Sequence, residues 1–264
     1  MSRSVVILGC GSSGGVPRVG GEWGACNPAN PKNRRRRCSI LVEQVGAEGS
    51  TIVLVDTSPD LRDQLLGTGT TRIDGILVTH SHADHTHGID DVRPLVIKMR
   101  HRVDLYMDEM TEAALRARFS YIFETPPGSQ YPPLVNPKPL SDGIAVTING
   151  PGGLVGALPF RLNHGDIDAL GFRFADMAYT PDVVAIPDES VPFLEGLDLW
   201  IIDALRYTRH PSHFCLEQAL GWISRMKPRR AVLTNLHTDL DYDTLSSELP
   251  KGVIAAYDGM RLDF

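Results

Sequence analysis

Residues 79–88 read Thr-His-Ser-His-Ala-Asp-His-Thr-His-Gly, with histidines at 80, 82, 85 and 87 and an aspartate at 84. Imidazole is the commonest metal-ligating side chain, and it suits zinc and related ions. Imidazoles this crowded, directly after the apolar run Ile76-Leu77-Val78, imply a cation that gathers them at the end of a buried strand. A chance polar loop or a pH-sensitive patch explains neither the ligand types nor the strand-then-loop context. Further along, His164, Asp182 and His237 each stand just past a strand-like segment, at 155–162, 177–180 and 231–235. With His80, His82, Asp84 and His85 they make seven candidate ligands, more than the four positions around one zinc. They divide into two adjacent ions. His80 and His82, two apart and pointing the same way at a strand end, join His164 on one. Asp84 and His85 join His237 on the other, and Asp182 bridges. Two divalent ions about 3.5–4 Å apart stabilise both oxygens of a displacement and bring the pKa of bound water toward about 7. The histidines favour zinc, and the carboxylates also admit manganese or iron. His87, His101 and His210 are expected to be non-ligands.

The elements that must position these residues follow from pattern and punctuation. Strands are expected at 5–8, 38–44, 51–56, 73–79 and 103–107, and helices at 61–66, 89–98 and 109–123, the last capped by Asp108. Ser58-Pro59 is a helix-start signal. Six prolines between 125 and 140 exclude a helix or a central strand there. That segment is expected to be a lid or a homodimer contact. The second half repeats the rhythm with strands at 144–149, 155–162, 171–174, 177–180, 199–202, 231–235 and 253–257, and helices at 212–226 and 244–249. Each half being strand-rich and then helical, the expected fold class is α/β: two sheets face to face with helices outside. At 264 residues with no clear linker, one domain over 1–264 is expected.

Gly9-Cys10-Gly11-Ser12-Ser13-Gly14 is a literal G-x-G-x-x-G after a strand. A dinucleotide fold requires a helix to open there, and Gly15, Pro17, Gly20 and Gly21 forbid one. Its glycines still let backbone N–H groups approach a ligand, and Ser12, Ser13 and Gly14 suit phosphate. Arg34-Arg35-Arg36-Arg37 is expected to be a solvated face, with an anionic substrate or a partner's acidic surface as the alternative.

The net charge of −6 removes a global electrostatic case for nucleic acid or an anionic membrane as partner. The apolar run at 5–8 is too short for a signal peptide, and no run approaches the roughly 20 apolar residues of a membrane helix. The four scattered cysteines, with no C-x-x-C pair, are expected to be free thiols in a cytoplasmic protein.

His80-Ser81-His82-Ala83-Asp84-His85, followed by His164, Asp182 and His237 in order, resembles the H-x-H-x-D-H signature and ligand order of the metallo-β-lactamase superfamily. Within it the chain is similar to the phosphoribosyl 1,2-cyclic phosphodiesterases, and more distantly to tRNA 3′-processing endonucleases. The residues that carry this are the stretch 9–17, Arg36-Arg37-Cys38-Ser39, Asn163-His164 and Tyr257-Asp258-Gly259-Met260. The resemblance implies an αββα sandwich with a dinuclear site at one edge. It also points at His213, in Pro211-Ser212-His213-Phe214, as general acid or phosphate contact at a late helix start. A charged imidazole is disfavoured beside a helix N-terminus, so that role requires an opposing anion, from the substrate or from Asp203. The relatives' extra structural zinc is not expected, because only Cys26 of its cysteine cluster is present. Pro181 also precedes Asp182 where superfamily members often have glycine.

The expected function is a dinuclear metal-dependent hydrolase. It cleaves a small phosphodiester, a cyclic sugar phosphate or nucleotide-like, by attack of a metal-bridging hydroxide, with His213 and Asp84 catalytic. The alternatives are a thioester or lactone hydrolase on the same fold and a non-catalytic phosphate-binding module.

Overall fold

The computed structural model describes residues 2–264. The first half supplies strands β1 (Ser2–Gly9), β2 (Ser39–Gly46), β3 (Gly49–Val55), β4 (Gly75–Leu77), β5 (Val103–Met107) and β6 (Val135–Pro139). Its helices are α1 (Leu61–Thr68), α2 (Ala83–Thr86), α3 (Arg93–Met99) and α4 (Glu109–Phe123). The second half supplies β7 (Val146–Gly150), β8 (Gly153–His164), β9 (Ile167–Phe174), β10 (Met177–Thr180), β11 (Leu199–Asp203), β12 (Arg230–Thr234), β13 (Val253–Ala255) and β14 (Arg261–Asp263). Its helices are α5 (Leu216–Met226) and α6 (Tyr242–Glu248). One seven-stranded sheet runs β14-β1-β2-β3-β4-β5-β6 and the other β13-β12-β11-β10-β9-β8-β7.

Both faces of each sheet are covered, and the strands show why. In β1, Val5 and Ile7 enter the core between the sheets, while Val6 and Leu8 face the layer that holds Leu61 of α1 and Leu115 of α4. In β11, Leu199 and Ile201 face the inter-sheet core, and Trp200 and Ile202 face Leu216 of α5 and Leu245 of α6. Period-2 alternation sends neighbours to opposite faces, so strands buried on both become continuous apolar runs. Each such Val, Leu or Ile contributes about 1.5–3 kcal/mol of burial. Three apolar layers therefore stack four structural ones in an αββα sandwich, as expected from the α/β pattern.

Two expectations are corrected. Of the arginine run only Arg34 is exposed, so the run is not a solvated face as a whole. Arg35 is only 2% exposed, and its Nη2 donates to the Leu240 carbonyl at 2.6 Å. Arg36 pairs with Asp258 at 3.0 Å and Arg37 with Asp60 at 2.6 Å. Their partners come from distant segments, which composition alone does not reveal. The helix expected to open at Ser212 starts at Leu216, with Cys215 as its N-cap and Gln218 accepting from the Cys215 N–H. His213 therefore sits in the preceding loop. The proline-rich segment ends in β6, an edge strand parallel to β5, where Pro137 and Pro139 cost few ladder bonds. All four cysteines are free and buried. No helix is long and apolar enough to cross a membrane.

Candidate metal centre and active site

The site forms where strands from both sheets end. β3, β4 and β5 run parallel, as do β10, β11 and β12, so their carboxyl ends gather on one side. Loops there converge on a shared crevice. Thr79, just past β4, accepts through its carbonyl from Leu170 N of β9 at 2.8 Å, which ties the sheets together at this edge. The loop from His80 then turns through the single turn α2 and returns at Gly88. There a Cβ would lie 1.9 Å from the Ser58 carbonyl, so only glycine allows the close return.

His80, His85 and His164 are each held by one nitrogen and offer the other. His85 donates from Nδ1 to Asp56 Oδ2 at 2.7 Å, which turns its Nε2 toward Asp182 Oδ1 at 3.3 Å and Asp84 Oδ2 at 3.5 Å. His164 donates from Nδ1 to the Ser212 carbonyl at 2.7 Å, leaving Nε2 at 3.3 Å from His82 Nδ1 and 3.5 Å from Asp182 Oδ2. His80 meets the Thr79 hydroxyl through Nδ1 at 2.9 Å, and its buried Nε2 has no hydrogen-bond partner. Anchoring the far nitrogen fixes tautomer and ring direction for metal ligation. Two sets of donor atoms lie within 4.8 Å of one another: His80, His82 and His164, and His80, His85 and Asp182. A third, of the same spacing, is His164, Asp182 and His213.

The electrostatics suit a cation. Burial, then the charge of His85, push the His80 pKa well below the ordinary histidine value, so its Nε2 is a neutral donor. Burial likewise lowers His164. Burial opposes ionisation of Asp182, yet His85, His213 and His80 outweigh it and hold this carboxyl well below its usual range. Burial lowers His85, but Asp182, Asp56 and Asp84 overcome it and raise its pKa well above the ordinary value. The neutral imidazoles of His80 and His164, an ionised Asp182 and the orphaned buried Nε2 of His80 are donors a divalent ion fits. Such an ion would displace the proton that the carboxylates hold on His85.

His213 sits between Asp203 and the cluster. Its Nδ1 donates to Asp203 Oδ2 at 2.9 Å, and its Nε2 points into the cluster, 3.9 Å from Asp182 Oδ2. Burial lowers its pKa, but the charge and hydrogen bond of Asp203, with Asp182, raise it to about 9. Burial pushes Asp203 up to about 6, so the pair is ionised at neutral pH. The opposing anion that His213 requires is thus Asp203, at the end of β11.

His237 is placed otherwise than expected. Its Nδ1 lies 2.9 Å from Asp239 Oδ1, and its Nε2 meets the Arg18 guanidinium. The residue after β12 that reaches the cluster is Asn235, whose Nδ2 donates to the Pro181 carbonyl at 3.0 Å and lies 3.4 Å from Asp182 Oδ1. Ser12 is buried, its N–H donating to the Leu236 carbonyl, and this zips the glycine loop to the segment between Asn235 and His237. Ser13 and Gly14 are exposed on the same loop. Gly14 lines a cleft of about 520 Å³ with Gly15, Arg34, Arg36 and Arg37. His87 packs edge-on against Phe119, and the exposed His101 lies away from the cluster. His210 sits with its ring 5.1 Å from that of His213, beside the site though in none of the three donor sets.

Sequence reasoning missed Asp56, Asn235 and Arg118. Asp56 is buried at the end of β3 with φ +64 and accepts from Thr79 N, Thr79 Oγ1 and His85. The apolar run Val53-Leu54-Val55 ending in an aspartate is the signal that marked Asp203 and could have marked it. Arg118 of α4 is exposed and donates to the Ser81 carbonyl at 2.5 Å, beside His82. No carboxylate pairs with it among the described residues.

Residues 51–235 match the family model of the beta-lactamase superfamily domain. The structure of a diphosphatase from the PhnP family is 36% identical, covers 100% of this chain and 98% of that one, and superposes with a TM-score of 0.89. The zinc-bound PqqB of Methylobacterium extorquens covers 99% of this chain and 100% of its own at 18% identity, with a TM-score of 0.74, a likeness of fold. An octanoyltransferase of Porphyromonas gingivalis is 31% identical over 263 residues, 97% of this chain and 50% of that protein. The chain thus spans half the length of that relative.

Proposed function

We propose, because the chain belongs to the metallo-β-lactamase superfamily and within it to the PhnP family, that this metal-binding hydrolase cleaves a small phosphodiester, a cyclic sugar phosphate or a nucleotide-like one. The observation that carries the reading is the His213–Asp203 pair, 2.9 Å apart, with the free nitrogen of His213 aimed into the ligand cluster. Hydrolysis of a phosphodiester breaks a P–O bond and leaves an alkoxide that needs a proton. A cationic imidazole beside the reacting centre supplies it. The 36%-identical PhnP-family enzyme is named a diphosphatase, which supports cleavage of a phosphorus–oxygen bond at such a site.

His80, His82 and His164 would hold one divalent ion, and Asp84, His85 and Asp182 a second. Bound there, such ions supply Lewis-acid stabilisation of charge on oxygen and a lowered pKa for water. Zinc, manganese and iron all suit the donors. Asp56, Thr79 and the Ser212 carbonyl orient the imidazoles. The reading assigns phosphate contacts to Arg118, which reaches the Ser81 carbonyl beside His82, and to the backbone N–H groups of Ser13 and Gly14. Asp203 keeps His213 protonated until the leaving oxygen takes its proton from Nε2. A small substrate fits this reading better than nucleic acid or a membrane, given the net charge of −6.

Thioester hydrolysis is the second reading, and the likeness to the octanoyltransferase favours it. The deciding assay sets bis-p-nitrophenyl phosphate and a cyclic ribose phosphate beside an acyl thioester, using metal-loaded protein. Phosphodiester turnover is expected, and His213→Ala should lower kcat by about 10²–10⁴-fold with metal content unchanged. Activity on the thioester alone would overturn the phosphodiester reading.

A further inference from the structure

We infer that the two halves of the cluster are unequal, so that an ion on His80, His82 and His164 is bound at least about tenfold more tightly than one on Asp84, His85 and Asp182, where Asn235 replaces a completing ligand. The inference rests on the metal-dependent hydrolase reading and concerns only how its ions are shared out.

The first half has three imidazoles whose donor atoms lie within 4.8 Å of one another. Two of them, His80 and His164, have their outer nitrogen already anchored. The second half has one imidazole, His85, with two carboxylates beside its Nε2. A further histidine would complete it, and His237 is the one the chain offers from β12. Both its nitrogens are engaged, one by Asp239 and the other by Arg18. A guanidinium cannot ligate, and its positive charge opposes a second cation nearby.

Asn235 stands in the place so left. It is buried, with φ +62, a left-handed conformation that asparagine and histidine tolerate better than most residues. Its Nδ2 donates to the Pro181 carbonyl at 3.0 Å, which aims the amide N–H groups, not its oxygen, toward Asp182 Oδ1 at 3.4 Å. An amide N–H is a donor only, so Asn235 competes with a cation for that carboxylate oxygen. Removing merely the hydrogen-bond partner of a ligand costs about 10–100-fold in metal affinity, and lacking the ligand itself costs no less.

Calorimetric titration of chelator-stripped protein with Zn²⁺, in the presence of a competing chelator, tests this. Two binding events separated by about tenfold or more are expected. His164→Ala should abolish the tighter one, and His237→Ala should move the weaker one by less than about threefold. Asn235→His should bring the weaker event to within about threefold of the tighter, and Asn235→Asp, near-isosteric, checks the same gap should the imidazole disturb folding. Two events of equal affinity overturn the inference. So does loss of the weaker event in His237→Ala or His213→Ala, since either residue would then be the completing ligand. Failure to bind any ion sinks the metal-hydrolase reading as well, whereas equal affinities leave that reading standing.

Discussion

The loop after β4 and the loop after β12 look alike as sequence, each a buried strand running into polar residues with histidine. They end differently. After β4, His80 and His85 have an acceptor for the outward nitrogen, Thr79 and Asp56, and the inward nitrogen is left for a ligand. After β12, His237 has both nitrogens occupied, while a buried asparagine two residues earlier reaches Asp182. A histidine becomes a metal ligand when something anchors its far nitrogen and nothing claims the near one. Residue type and spacing nominate it, and its neighbours decide.

The comparison can be broken by removing what differs. His164→Ala takes one of three imidazoles from the tighter set. Metal content and hydrolysis should fall together, affinity by more than about 100-fold, and retained activity at full metal content would show the ligand set to be misassigned. Asp56→Ala removes only the anchor of His85. It should weaken metal binding by about 10–100-fold and lower stability by about 1–3 kcal/mol, because Thr79 N–H is left buried and unpaired. Equilibrium unfolding beside metal titration separates the two effects.

Asp203→Asn tests the proton donor. His213 must be protonated to act, and its pKa is raised to about 9, so activity holds at neutral pH and is lost as pH climbs through that value. Without the Asp203 charge the alkaline limb should move down toward the ordinary histidine value near about 6.5. A pH–kcat profile with an unmoved limb would remove His213 from the proton transfer. The smallest effect is expected for His237→Ala, less than about threefold in metal content, measured by elemental analysis.

Much of the site was legible because its signals are local. A strand pattern followed by His or Asp nominated His80, His82, Asp84, His85, His164 and Asp182, which the fold brings together, and Asp203 was nominated as an anion for His213, which it meets. The bounds of β5 and α4 follow from burial periodicity and the Asp108 cap, whose side chain accepts from Thr111 N. What escaped depends on partners far along the chain. Arg36 finds Asp258 across 222 residues, and Arg35 finds the Leu240 carbonyl across 205. Nothing near 34–37 distinguishes such arginines from a solvated run. Asp56 escaped because its role is to hold His85, 29 residues on.

The sequence by itself determined the αββα layering, since runs apolar on both faces must be covered on both. It also determined the ligand chemistry, since four histidines and an aspartate in one strand-end loop have few other uses. Only the tertiary structure decided which nitrogen of each imidazole faces inward. It alone set Asn235 rather than His237 against Asp182, and it placed Asp203 behind His213. Those are choices among hydrogen-bond partners from separate strands, and they exist only once the two sheets have packed and their carboxyl ends have met.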